Sequence, residues 1–146
     1  MPLKLTLKPD ECVVINGCVV RNSNGRHVLT IESQNADVIR GKDLLNHEDA
    51  ATPIKRVYFL IQTVLIKSEL RDKLVPEIQS QLAVLATVFG PGHVRHVFEA
   101  ANCVSQMDYY RALSELRPLL VREEMLLATS VKRAAIAREA YLAGSP

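Results

Sequence analysis

Tryptophan is absent from the 146-residue chain, and aromatic residues make up only 5% of it. The seven Tyr and Phe residues all lie at Tyr58 or beyond. The N-terminal region therefore has no rings on which bases could stack, which disfavours a sheet of the RNA-recognition-motif kind. Charge of one sign is also missing. Lys and Arg number 18 against 16 Asp and Glu, a net charge of +2, so no general attraction to nucleic acid or anionic lipid is expected. Long apolar runs are missing too. The best candidate, Val57 to Ile66, is interrupted by Gln62 and Thr63 and falls short of the roughly 18–20 residues a membrane span needs. The three cysteines form no C-x-x-C pair, which excludes a zinc ribbon or a thioredoxin-type motif; an odd count points to reduced thiols. Met1-Pro2-Leu3-Lys4 shows no basic segment leading into an apolar one, so a cytoplasmic protein is expected. With 48% hydrophobic and 23% charged residues, the chain has the composition of a folded protein, one domain or two small ones.

Residues 3–40 carry strand signals. Leu3, Leu5 and Leu7 alternate with Lys4, Thr6 and Lys8, the period of a strand with one buried face. Pro9-Asp10 supplies a turn. Cys12 to Ile15 and Cys18 to Val20 flank Asn16-Gly17, the strongest short signal for a two-residue hairpin. That loop sets Ile15 against Cys18, Val14 against Val19 and Val13 against Val20. Cys12 and Cys18 then lie on opposite faces, poorly placed for a disulfide. Asn24-Gly25 predicts a second hairpin, pairing Val20 with Leu29 and Cys18 with Ile31. Ala36 to Arg40 is a further strand. One sheet face, with Val14 and Val19, stays apolar and needs a cover from the helices or from another subunit.

Residues 43–142 carry helical signals. Thr52-Pro53 fits an N-cap followed by proline at the first helical position. Ile54, Val57, Tyr58, Ile61, Val64 and Leu65 then recur at spacings of three and four. Ser68 to Leu74 reads as helical, Pro76 as the start of a helix running to Phe89, and His93 to Cys103 as a short helix. Asp108 precedes a long helical stretch reaching about Leu142, with Pro118 inside it. The fold class expected is α+β, a small N-terminal antiparallel β module followed by a C-terminal helical bundle. The domain reading is residues 1–45, a candidate RNA-binding module, and 46–146, a helical domain for oligomerisation or partner binding. The polar stretch Gly41 to Ala51 is the border.

Motifs of catalysis are absent: no G-x-S-x-G, P-loop, dinucleotide fingerprint or H-E-x-x-H occurs. His93, His96, Glu99 and Cys103 share one side of a helix, but one helix rarely supplies more than two ligands of a tetrahedral site. The expectation is no enzyme, no catalytic residues, no metal and no cofactor. Glu123 and Glu124 read as ordinary charged surface. What remains is a set of basic residues in the β half: Lys4, Lys8, Arg21, Arg26, Arg40 and Lys42. They stand near strand edges and turns, where phosphate contacts form without base stacking. Asp10, Glu11, Glu32, Asp37 and Asp43 share the segment, so a solvated edge guarded by lysine is an equal reading from charge alone.

Leu3-Lys4-Leu5-Thr6-Leu7-Lys8-Pro9, Glu11 and Val14-Ile15-Asn16-Gly17 resemble the opening of the FlbT family. Thr52-Pro53, Arg56-Val57-Tyr58-Phe59 and Gln62 resemble that family's first helix. The resemblance runs to about Leu127; Asp10 departs from it, where the family more often has glycine. It implies a cytoplasmic post-transcriptional repressor of flagellin that binds the 5′ untranslated region of flagellin mRNA and promotes its decay, with a small companion, FlaF. The β half also resembles the carbon storage regulator, a small all-β RNA-binding dimer, and by that analogy Lys4 and Arg40 are the preferred RNA contacts. The alternative reading is a protein-interaction or chaperone-like module that binds flagellin or FlaF through Phe59, Leu60 and Ile66. Either way a homodimer is expected, with no membrane partner.

Overall fold

The structure is a computed structural model, and it describes residues 2–144. Five strands come first: β1 (Leu3–Leu7), β2 (Cys12–Ile15), β3 (Cys18–Arg21), β4 (His27–Ile31) and β5 (Val38–Arg40). Four helices follow: α1 (Pro53–Ile66), α2 (Arg71–Leu85), α3 (Pro91–Ser105) and α4 (Tyr109–Ala143). This is the expected α+β order.

The first hairpin has the predicted register, Ile15 opposite Cys18, Val14 opposite Val19 and Val13 opposite Val20. Asn16 and Gly17 both adopt positive φ, 48° and 81°, as the tight turn demands. The second hairpin does not form. β4 pairs with β1, placing Leu5 opposite Leu29 and Leu3 opposite Ile31, while β5 takes the free edge of β2. The result is a two-stranded ribbon, β1-β4, and a three-stranded sheet, β3-β2-β5. The cause is Asn22. Its side-chain amide donates to the carbonyls of Leu7, Lys8 and Gly25, and its Oδ1 contacts His27 Nδ1 at 3.0 Å. The chain thereby turns a corner out of one sheet and into the other. Only Gly25 of the Asn24-Gly25 pair has positive φ, so the two-residue turn that would pair β3 with β4 is not made.

Alternation along β2 sorts the layers. Val13 points to the ribbon and forms a small core with Leu5 and Leu7, against which Ile15, Leu29, Ile31 and Val38 pack. Val14 and Ile39 point the other way and join the main core among the helices. The apolar face that needed a cover is thus closed, at those two positions, by the helical half of the same chain. β3 keeps all four residues exposed.

In the helical half, Thr52 caps α1 by accepting from the Lys55 N–H, and Asp108 caps α4 by accepting from the Arg111 N–H. α2 differs from expectation. A 3-10 turn over Ser68–Leu70 leads into one helix that runs through Pro76. The bond that proline removes would have gone to the Asp72 carbonyl, and Asp72 is exposed, so water can satisfy it. α4 likewise continues through exposed Pro118.

The polar border is tied down by α1. Buried Gln62 accepts from the Leu45 N–H and donates to the Leu45 carbonyl, both at 2.9 Å. The buried Tyr58 hydroxyl donates to the Asp43 carbonyl and accepts from Arg117 Nε of α4. Burial alone would lower the Arg117 pKa, but the Tyr58 bond and the charges of Tyr58, Asp43 and Tyr110 outweigh it and raise the value. These bonds hold the segment directly after Arg40 and Lys42 against the helices.

Asp37 directly precedes β5. Burial, aided by the Asp108 carboxylate, raises the Asp37 pKa. The folded chain therefore holds that proton more tightly than the unfolded chain, and ionising Asp37 costs stability at neutral pH. Asp37→Asn is expected to be more stable than the wild type at pH 7. The gap should close as pH falls through the raised value to the ordinary carboxylate range near about 4. Urea melts at several pH values measure this; a gap of zero, or one independent of pH, contradicts it.

Candidate nucleic-acid interface

The six cations singled out from the sequence do not share one face. Lys4 lies on β1 opposite Thr30, on the outer side of the ribbon, since Leu3, Leu5 and Leu7 alternate with it. The other five gather at one end of the β unit. Register shows this directly. Arg21 is opposite Cys12 and Arg40 opposite Val13, so both stand at the start of β2, but on opposite faces of the sheet, Arg40 on the ribbon side and Arg21 on the other. Lys8 and Arg26 flank the pair Leu7–His27 that closes the ribbon at that same end. Lys42 follows Gly41, which packs against the Cys12 backbone.

The turn between β1 and β2 fixes this end. Asp10 N–H donates to the Ser23 carbonyl and Asn22 N–H to the Glu11 carbonyl. Glu11 uses its carboxylate on the Lys8 backbone N–H at 2.8 Å. Asp10 adopts φ 62°, a left-handed conformation that Asp tolerates better than most residues with a side chain. Arg21 donates to the Asp10 carbonyl at 3.0 Å, so one guanidinium is partly held by the turn. Among the described residues, none of the six cations forms an ion pair. Arg40 is half-buried and the other five are exposed. Such an arrangement can meet phosphate oxygens.

Sequence reasoning missed Asn22, which makes the corner that gathers Lys8, Arg21 and Arg26. Its signal is the run of turn-forming residues Asn22-Ser23-Asn24-Gly25. It also misread Glu123. That carboxylate accepts from Thr52 Oγ1 and from the Ile54 N–H, capping α1 from α4, where negative charge suits the helix N-terminus.

The remaining candidates separate. His96 Nδ1 contacts Glu115 at 3.1 Å, while Cys103 is buried, and burial raises its pKa, which suppresses the reactive thiolate. Among the described residues, no three His, Cys, Asp or Glu side chains converge as metal ligands. Nor is any helix there long and apolar enough to cross a membrane. Phe59, Leu60 and Ile66, expected to face a partner, are half-buried. Leu60 and Ile66 pack on the core, and Phe59 meets the His47 ring edge-on at 5.8 Å.

Comparison with known proteins gives the family. The model of the flagellar protein FlbT matches residues 3–127. A Rhodopseudomonas palustris protein named "Probable flagellum biosynthesis repressor protein FlbT" is 35% identical over 132 residues, covering 88% of this chain and 99% of that relative. The "Flagellum biosynthesis repressor protein FlbT" of Caulobacter vibrioides is 32% identical over 125 residues, 85% of this chain and 88% of its own. A relative from another Caulobacter is 32% identical across 87% of this chain and 97% of its own. No solved structure matches. With a family model spanning both the β unit and the helices, the chain belongs to the FlbT family.

Proposed function

We propose that this chain is a cytoplasmic post-transcriptional repressor of flagellin synthesis. It binds the 5′ leader of flagellin mRNA through the basic end of its β unit and promotes decay of the message. The observation that carries this reading is the gathering of Lys8, Arg21, Arg26, Arg40 and Lys42 around the β1-β2 turn, in a family whose named members are flagellum biosynthesis repressors. Repression then follows from occluding the ribosome or exposing the message to nucleases, and needs no catalytic group. Lys4, on the ribbon's outer side, is a separate contact in this reading. Backbone contacts dominate, because the β unit has no aromatic ring.

Leader-RNA affinity measured against salt tests this. For a single strand, each phosphate that the protein no longer neutralises lowers the slope by roughly 0.7, so Arg40→Ala/Lys42→Ala is expected to lower it by roughly 1.4. Lys4→Ala alone reports whether the ribbon face takes part. An unchanged slope in the double variant places the RNA elsewhere.

A second reading is favoured by one feature. Pro53, Val84, Val88, Phe89 and Leu126 line an apolar groove of about 280 Å³ between α1, α2 and α4, which suits an apolar segment of FlaF or flagellin. Retention of either protein after nuclease treatment of a lysate supports that reading.

A further inference from the structure

The second half of α4 leaves the helical core, touching the rest of the chain at the groove beside Leu126 and Leu127. Leu119 is its last buried residue. Beyond Glu123, every residue through Ala143 is exposed, including Val131 at 69% and Leu142 at 60%. The family match ends at Leu127, so most of this extension is additional to the family's shared body.

Positions 124, 131 and 138, which are Glu, Val and Arg, stand seven residues apart, with Leu127/Ala128, Ala134/Ala135 and Tyr141/Leu142 falling between them on the same side. A helix of this spacing presents one continuous side to a partner helix, small and apolar at the centre, with an acid towards one end and a base towards the other. The charges are symmetric about Val131. Glu124 lies seven residues before it and Arg138 seven after. Lay a second copy antiparallel, with the two Val131 residues at the axis, and each Glu124 meets the partner copy's Arg138. Leu127 and Ala128 then meet Ala135 and Ala134, and the Val121 end meets the Tyr141–Leu142 end. A parallel pair would instead set Glu124 against Glu124 and Arg138 against Arg138, a repulsive arrangement. We propose that residues 121–142 of two copies pack antiparallel about a two-fold axis at Val131, with reciprocal Glu124–Arg138 pairs fixing the register. Such an interface is isologous and closes on itself as a dimer.

Charge reversal in the full-length protein tests the idea independently of RNA binding. Glu124 also lies 4.0 Å from Lys55 in its own chain, but its side chain is 69% exposed; a surface pair of this kind contributes little to folding. Sedimentation is measured for wild type, Glu124→Arg, Arg138→Glu and the double variant. A micromolar wild-type dimer is expected, with each single reversal raising the dimer Kd at least about tenfold, two repulsive pairs per dimer replacing two attractive ones. The double variant restores the pairs in swapped order and should return to within about threefold of wild type. A monomeric wild type overturns the proposal. So does a dimer indifferent to the single reversals, or a double variant no better than the singles.

Discussion

Gly17→Ala is expected to cost about 3 kcal/mol, the sum of two separate penalties at one position. Gly17 sits at φ 81° in the β2-β3 turn, where a Cβ crowds the following carbonyl and costs about 1–2 kcal/mol. The same Cβ would stand 2.8 Å from the carbonyl oxygen of Leu65. That oxygen belongs to the last turn of α1, a helix whose Ile61 and Val64 are fully buried, so it has little freedom to retreat. The turn is equally fixed: the Asn16 N–H donates to the Asp37 carbonyl, and Asn16 Oδ1 accepts from the Asp37 N–H, both at 2.8 Å. Gly25→Ala is the control. It has the same φ of 81°, but its nearest neighbour would be His27 Cε1 at 3.6 Å, an ordinary van der Waals distance. It should suffer only the backbone penalty, about 1–2 kcal/mol. Denaturant melts of both variants give the difference, which measures how firmly the hairpin tip presses on the helix. Equal destabilisation would show that this approach yields freely.

The hairpin tip also shows where sequence reading succeeds. Asn16-Gly17 dictates local backbone geometry by its own chemistry, so register followed at once. Thr52-Pro53 and Asp108 worked for the same reason: a cap is a local event. Asn24-Gly25 has similar chemistry and misled. The choice between pairing β4 with β3 or with β1 is non-local, and it was decided by one Asn22 amide reaching the Leu7, Lys8 and Gly25 carbonyls. The apolar alternation of β4 fits either neighbour, since Leu29 and Ile31 share one face whichever strand lies beside them. Pro76 misled in another way: proline was read as a helix start, while the exposure of Asp72 that permits it mid-helix depends on packing. At the candidate site, the residue types were legible and their grouping was not. Five cations scattered between residues 8 and 42 gather only because β5 returns to β2 and β4 to β1. Glu123 had no signal at all, because its partners lie 69 and 71 residues away.

Gly41→Ala isolates the steric penalty from the backbone one, and it acts at the candidate interface. Gly41 has no positive φ, so alanine brings no backbone strain of its own. Its Cβ would lie 2.6 Å from the Cys12 carbonyl oxygen and within 3.6 Å of the Cys12 nitrogen and carbonyl carbon. β2 cannot move aside, because β3 and β5 hold both of its edges. Gly41 is held from the other direction, since the following segment is fastened by Tyr58 at Asp43 and by Gln62 at Leu45. One of these attachments must give, at a cost of about 3 kcal/mol, the upper part of the range for overpacking. If the β2-β5 pairing yields first, Arg40 and Lys42 leave the basic end together. The folded fraction of Gly41→Ala should then show the reduced salt slope of Arg40→Ala/Lys42→Ala while retaining both positive charges. If the linker clasp yields instead, stability falls but the slope stays wild-type. Denaturant melts and leader-RNA titrations on the same preparation separate the two. A destabilisation below about 0.5 kcal/mol, the range of an ordinary surface substitution, would show that β2 and the linker are not pressed together at this point.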